Sequence, residues 1–398
     1  MTAGCPEEPE RMLKMQKQKA FSYIDAHREE MLSLWRDLVN MESGSADKAG
    51  VDAVHAVIKD VLVREGAVVR MAEYEQAGNL LIAEVGGGRP RPVVIFLGHV
   101  DTVFKSGTVR ERPFTIKDGK AYGPGVLDMK GGVVAFLYAI KALNAAGFTE
   151  RPIKVLLAGD EETGHANTNA AQVFVAEAAG AAAAFNCETG FVDDAIVVGR
   201  KGVAQFDLEV RGVAAHVGND PENGRSAIVE IAHKLLEIEK LTDWQEGTTF
   251  NVGVIQGGTV PNATPDYARI KIDVRFAMES AVAKFTKQLE VIAAKTYVPG
   301  TTTTLTPGAC FQAMRTTDGV TWLFNLVKET CAENGFGEPY AKVVGGGSDS
   351  AYTVIAGVPT VCAMGVKGGR NHSTEEYAVV ETLFERAKLL AACVFKLP

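Results

Sequence analysis

The chain has 398 residues, 46% of them hydrophobic, which is enough to bury the cores of two domains rather than one. Its formal net charge of -8 argues against a nucleic-acid partner, because phosphate binding needs clustered Lys and Arg. No apolar run approaches the ~20 residues of a membrane helix, and residues 1–19 are polar with no signal-peptide core, so no membrane partner and a cytoplasmic location are expected. From Phe21 to about Val198, apolar strands alternate with helical stretches, the pattern of a mostly parallel, doubly wound α/β sheet. Residues 93–97 are a continuous apolar run that reads as a buried parallel strand and delivers Gly98-His99-Val100-Asp101. Asp128 follows Gly123-Pro124-Gly125 and precedes an apolar helical stretch, 133–143. A strand over 153–158 runs into Asp160-Glu161-Glu162, and one over 181–186 delivers Cys187-Glu188.

The style then changes. Residues 201–212 alternate with period two, as a half-exposed antiparallel strand does. A helix is expected over 226–239, with Ile228, Ile231, Leu235 and Ile238 on one face. Strands at 250–256 and 268–275, a helix over about 281–296 and a Thr-rich strand to about 306 complete the order of a ferredoxin-like α+β sandwich. The reading is therefore a catalytic domain of residues 1–199 and 313–398, interrupted by an inserted α+β domain, 200–312. The sheet resumes after the insertion, and a Gly-rich loop presents His372.

His99 and His372, with Asp128, Glu161, Glu162 and Glu188, stand at strand ends or on loops beside them, where open α/β sheets place their ligands. Two imidazoles and three carboxylates can hold two zinc ions if one carboxylate bridges them, and each ion keeps a position for water or substrate. The acid left over would be a base. Adjacent glutamates are ordinarily a solvated surface pair, but Glu161 and Glu162 end an apolar run, and on an extended segment their side chains diverge. One can then bind metal while the other faces water. The six cysteines, Cys5, Cys187, Cys310, Cys331, Cys362 and Cys393, lie far apart with no Cys-x-x-Cys pair and read as free.

The ordered set His99-x-Asp101, Asp128-Met-Lys-Gly-Gly, Asp160-Glu161-Glu162, Glu188 and His372 resembles the dizinc exopeptidase and deacylase family across essentially the whole chain. Residues 98–104, 120–125 and 345–350 are most similar to its bacterial glutamate carboxypeptidase branch (carboxypeptidase G). The resemblance implies two Zn2+ ions, with Co2+ or Mn2+ as substitutes: one held by His99, Asp128 and Glu188, the other by Asp128, Glu162 and His372. It implies that Asp101 orients the His99 ring and that Glu161 is the general base toward a water bridging the metals. A glutamate at position 188 is typical of the family's carboxypeptidases and deacylases, an aspartate of its aminopeptidases and dipeptidases.

The same resemblance makes the inserted domain a lid and dimerisation element, with a homodimer expected. His216 would stabilise the oxyanion, in dimeric members that of the partner's active site, and Asn262 and Arg275 would bind the substrate's free carboxylate. Arg200 and Lys201, with Lys367, are the candidate cations for a glutamate side chain, while residues 306–311 supply none. The expected activity is metal-dependent hydrolysis of the amide bond to a C-terminal amino acid, glutamate preferred, on a small peptide or N-acyl amino acid. An N-acyl-amino-acid deacylase, like an aminoacylase or acetylornithine deacetylase, is the rival reading. A non-enzymatic metal- or peptide-binding dimer would have no use for an intact Glu161. His27, His55 and His233 fall in amphipathic helices and read as surface or capping side chains, and His165 matches no ligand position.

Overall fold

The strand Val94–His99 is buried along its whole length, and its apolar residues Val94, Ile95, Phe96 and Leu97 have sheet neighbours on both sides. It lies within a six-stranded sheet whose order is Ala67–Ala72, Leu80–Val85, Ile153–Ala158, Val94–His99, Ala183–Asn186 and Thr360–Val361. The four strands from Ile153–Ala158 onward run parallel, and the first two add an antiparallel edge. In register, His99 pairs with Ala158, and Leu97 with Asn186. The carboxyl ends of three neighbouring strands thereby lie within two residues of one another, which brings His99, the turn after Ala158 and the turn after Asn186 to one edge. The expected mostly parallel, doubly wound sheet is present.

The computed structural model describes residues 7–398, with side chains from residue 11 onward; Cys5 lies outside them. The described chain divides into two compact units. The first holds the residues up to Gly199, Thr316–Val343 and Asp349–Pro398, and the second holds Arg200–Arg315 and Val344–Ser348. The inserted segment thus runs on to Arg315, past the 312 read from the sequence, and is joined by a Gly-rich loop from far along the chain.

Helices cover the first unit's sheet, and the most central is Gly131–Ala145, in which residues from Gly131 to Ile140 are all buried. It packs against the helices Glu381–Lys396 and Glu7–Ala26. Gly132 is required for this seating, because a Cβ there would meet the Cys187 carbonyl oxygen at 1.8 Å. The helix Lys48–Arg64 starts on Asp47, whose side chain accepts from the Gly50 N–H, and buries Val51, Val54, His55, Ile58 and Leu62. His55 is therefore a core residue, not the surface or capping side chain read from the sequence. His27 does stand at a helix start, and His233 stacks on Tyr297.

A second, five-stranded sheet matters more for the site. Its order is Thr115–Lys117, Lys120–Tyr122, Tyr377–Val379, Lys367–Gly369 and Gly190–Phe191. The strand Lys120–Tyr122 leads toward Asp128, Gly190–Phe191 follows Glu188, and the two strands between them flank His372. Short pairings thus tie together three loops that are distant in sequence.

The second unit is a four-stranded antiparallel sheet, in the order Thr249–Gly257, Tyr267–Phe276, Gly202–Arg211 and Thr302–Phe311, with helices Ala227–Glu239 and Ala281–Ala294 packed on it. Along Gly202–Arg211 the buried residues Phe206, Leu208 and Val210 alternate with partly exposed Asp207 and Glu209, the period of a strand covered on one face. Phe285 anchors the core, its ring meeting those of Phe206, Phe250 and Phe276 at centroid distances of 6.2, 6.2 and 5.4 Å. This is the ferredoxin-like sandwich expected from the order of elements.

Candidate metal centre

His99 closes its strand with its Nδ1 3.0 Å from the Asp101 main-chain oxygen. That carbonyl can only accept, so in the neutral ring the proton sits on Nδ1 and Nε2 presents a lone pair. Nε2 is buried without a hydrogen-bond partner. It faces Asp128 Oδ1 at 3.3 Å and Glu188 Oε1 at 3.4 Å. On the other side of Asp128, Oδ2 lies 3.2 Å from His372 Nε2, which is also 3.2 Å from Glu162 Oε2. The structure thus brings together two three-donor sets, His99-Asp128-Glu188 and Asp128-Glu162-His372, sharing one carboxylate.

The donors fit metal ions. Around a tetrahedral zinc with ligands at about 2.0–2.1 Å, neighbouring donor atoms sit ~3.3 Å apart, and the spacings here are 3.2 to 3.4 Å. The orphaned His99 Nε2 gains a partner that way. Charge agrees as well: Asp128, Glu162, Glu188 and Glu161 ionised would match two divalent cations.

Each donor is held by local structure. Gly98 admits Met129, since a Cβ there would meet the Met129 side chain at 2.2 Å, and Met129 Sδ accepts from the His99 N–H at 3.3 Å. Asp128 sits in the turn Val126–Lys130 before the central helix, and Asn371 Nδ2 donates to its Oδ2 at 3.1 Å. His372 has a φ of 60°, a left-handed conformation that turns its loop sharply between two paired strands.

Asp101 does more than face an imidazole. Its Oδ1 lies 3.4 Å from His99 Nδ1 and accepts from the Glu161 N–H at 3.0 Å. Its Oδ2 accepts from the Glu162 N–H at 3.1 Å and from Ser45 Oγ at 2.7 Å. One buried carboxylate therefore orients the turn that carries both glutamates, and Ser45 orients that carboxylate. Ser45 was not singled out in the sequence.

Glu161 belongs to neither donor set; its Oε2 is 3.9 Å from His99 Nε2. Burial pushes its carboxyl well above the ordinary range; His99 pulls it back, while Glu188, Asp349 and Glu162 push it further. Burial and Asp128 push Glu162 up to about 7 against the pull of His372. Burial also raises Asp128, yet the facing imidazoles of His372 and His99, in their protonated form, hold it well below the ordinary range. Cys187, beside Glu188, is fully buried with its thiol pushed up by that burial, and its Sγ points to the Phe185 carbonyl at 3.7 Å. It is outside both donor sets.

His165, matched to no role in the sequence, is buried between two carboxylates: Nδ1 is 2.8 Å from Asp160 Oδ1 and Nε2 2.6 Å from Asp349 Oδ1. Burial lowers the imidazole pKa, but Asp349 and Asp160 reverse this and raise it well above its usual value. Its sequence signal was its closeness to Asp160-Glu161-Glu162.

In the second unit, His216 is exposed, and its Nδ1 accepts from the Gly218 and Asn219 N–H groups at 3.1 and 3.2 Å. In the neutral ring this leaves the proton on Nε2. Asn262 is exposed beside it, its main-chain oxygen accepting from the Val217 N–H at 3.2 Å. Arg275 forms a two-pronged pair with Asp273, at 2.6 and 3.0 Å, and its Nη1 donates to the Gly345 carbonyl at 3.0 Å. Arg200 Nη1 donates to the Gly346 and Gly347 carbonyls at 3.3 and 3.1 Å, and Lys201 Nζ to the Gly247 carbonyl at 3.1 Å. The two arginines thus hold the Gly-rich loop. Lys367, in the first unit, is paired with Asp194 and Glu385 at 2.6 and 2.7 Å.

A mostly parallel sheet that gathers two donor sets around a shared carboxylate, with a buried glutamate left outside them, belongs to the metal-dependent hydrolases. More particularly, the chain belongs to peptidase family M20/M25/M40, whose model matches residues 95–396. It is 28% identical over 364 residues to carboxypeptidase G2 of Pseudomonas sp. (strain RS-16), covering 90% of this chain and 87% of that one. It is also 28% identical over 373 residues to the succinyl-diaminopimelate desuccinylase of Acidiphilium cryptum, covering 89% and 95%. The fold is shared with a metallo-carboxypeptidase of the M20 family from Sulfolobus solfataricus, at a TM-score of 0.78 and 19% identity, covering 92% of this chain and 99% of that one.

Proposed function

We propose that the chain is a dizinc carboxypeptidase that cleaves the amide bond to a C-terminal amino acid, with His99, Asp128 and Glu188 holding one ion and Asp128, Glu162 and His372 the other. The observation that carries this reading is Glu161, buried beside two donor sets that share Asp128 and outside both. When bound, the ions would polarise the scissile carbonyl and lower the pKa of water to about 7.

The side chains supply positioning and proton transfer. Glu161 takes a proton from the attacking water and passes it to the leaving amine, within reach of His99. Asp101 keeps that base in place through the main-chain N–H groups of Glu161 and Glu162. His216, its Nδ1 already occupied, offers Nε2–H to the carbonyl oxygen as negative charge develops there. A preorganised donor of this kind lowers a barrier by about 3 kcal/mol. Asn262 and Arg275 bind the free carboxylate, which would replace the Gly345 carbonyl on Arg275 with a charge-assisted, two-pronged pair. We assign the second unit the role of lid and dimerisation element in a cytoplasmic homodimer.

Glutamate as the leaving residue is supported by the likeness to carboxypeptidase G2. One observation favours the deacylase reading: Arg200, Lys201 and Lys367 each already hold protein partners, so none is a ready cation for a glutamate side chain. The likeness to a desuccinylase points the same way. The test is amino-acid release by zinc-loaded protein from one aromatic acyl group linked to Glu, Asp, Ala, Leu, Phe, Lys or Arg, beside an N-acetyl series. Preferred release of Glu supports the carboxypeptidase; turnover of the N-acetyl series alone makes the chain a deacylase; turnover unaffected by chelation removes the metal mechanism.

A further inference from the structure

Glu376 is fully buried, and its carboxylate accepts three main-chain hydrogen bonds from one stretch of chain. Oε1 accepts from the Leu127 N–H at 2.8 Å and the Asp128 N–H at 3.0 Å, and Oε2 from the Gly125 N–H at 3.1 Å. Lone buried carboxylates are costly unless paired or richly hydrogen-bonded; among the described residues no salt bridge reaches this one, and the three N–H groups are its compensation. The stretch it grips carries Asp128, the one residue common to both donor sets.

Glu376 also belongs to the loop that presents His372, between the paired strands Lys367–Gly369 and Tyr377–Val379. A single side chain therefore ties the backbone of the shared carboxylate to the loop bearing a second donor. Asn371, from the same loop, adds its contact to Asp128 Oδ2 at 3.1 Å. Rotation of the Asp128 main chain would move both carboxylate oxygens at once, so its orientation bears on both sets.

We propose that Glu376 is a positioning residue of the metal centre: it fixes the Asp128 main chain so that Oδ1 and Oδ2 face separate donor sets, and metal affinity depends on it. This rests on the reading of the two sets as a metal centre.

The residue's chemistry sets the test. Glu376→Gln keeps the shape but replaces one acceptor oxygen by an N–H2 that confronts a backbone N–H; Glu376→Asp keeps the charge but withdraws it by one methylene. Zinc affinity is measured by competition with a chromophoric chelator, and the melting temperature is taken with and without zinc. Outer groups that hold metal ligands typically contribute about 10–100-fold in affinity, and a loss of that size is expected for both variants at a temperature where each is still folded without zinc. Unchanged affinity with a lowered zinc-free melting temperature overturns the proposal, since Glu376 would then only support the fold. Failure of both variants to fold, with or without zinc, overturns it in the same way. If the unaltered protein itself binds no zinc, the metal-centre reading fails first, and this role with it.

Discussion

His165 Nε2 lies 2.6 Å from Asp349 Oδ1, joining the turn that bears Glu161 and Glu162 to the start of the helix Ser350–Ile355. The opposite ring nitrogen holds Asp160, whose Oδ2 also accepts from Thr168 Oγ1 at 2.7 Å. One imidazolium thus compensates two buried carboxylates. Replacing it by Leu strands both, and breaking a buried pair of this kind costs about 3–5 kcal/mol. The expected outcome for His165→Leu is a large fall in the urea midpoint, most of it regained when Asp160→Asn and Asp349→Asn are added. A single variant as stable as the parent would mean that the ring carries no charge.

Glu161 makes the sharpest catalytic prediction. Glu161→Gln should keep zinc binding, since Glu161 is in neither donor set, and lower kcat by about 10²–10⁴-fold, the usual contribution of a positioned base. Steady-state turnover and zinc titration on the same sample check both halves. Retained turnover would remove Glu161 as the base.

His55 predicts a pH dependence that a surface histidine would not show. Burial lowers its pKa to about 4, with Asp52 and Asp101 pulling the other way. A lowered folded-state value means that the unfolded chain binds the proton more readily, so stability is full above about 6.5, the ordinary histidine value, and falls as the pH drops toward 4. The full effect is roughly 3 kcal/mol. In zinc-free protein, His55→Leu should flatten the loss of stability between pH 7 and pH 5 relative to the parent; parallel losses would show that His55 does not titrate in that range.

Phe285 tests the second unit. It is 1% exposed amid three other phenylalanine rings, and Phe285→Ala should destabilise that unit by about 3–5 kcal/mol through lost burial and the cavity left behind. Calorimetry should show an earlier transition while zinc affinity is unchanged, since every proposed ligand lies in the first unit. A single unshifted transition would contradict the packing of Phe285 among these rings.

The elements were legible wherever burial imposes a period on the chain. Residues 93–97 are a continuous apolar run and 153–158 one broken only at Lys154, because parallel strands are covered on both faces, and Gly202–Arg211 alternates because only one of its faces is covered. His55 carries the same signal: it lies on the buried stripe with Val51, Val54, Ile58 and Leu62. Its place on the helix outweighs the ordinary polarity of histidine.

At the site, what lies next to a strand end could be read from local order. His99, Glu161, Glu162 and Glu188 lie at the ends of apolar strands or on short turns after them, so their identity and their place at strand ends follow from neighbouring residues. Convergence could not be read that way. Asp128 meets His372 and Glu376, and His165 meets Asp349, across stretches in which no period or spacing encodes the approach. Whether Arg200 and Arg275 stand free or hold a loop was likewise decided by glycine carbonyls distant in sequence. Side-chain chemistry and local periodicity are properties of adjacent residues, whereas pairing between loops exists only once sheet register and packing have brought their backbones together.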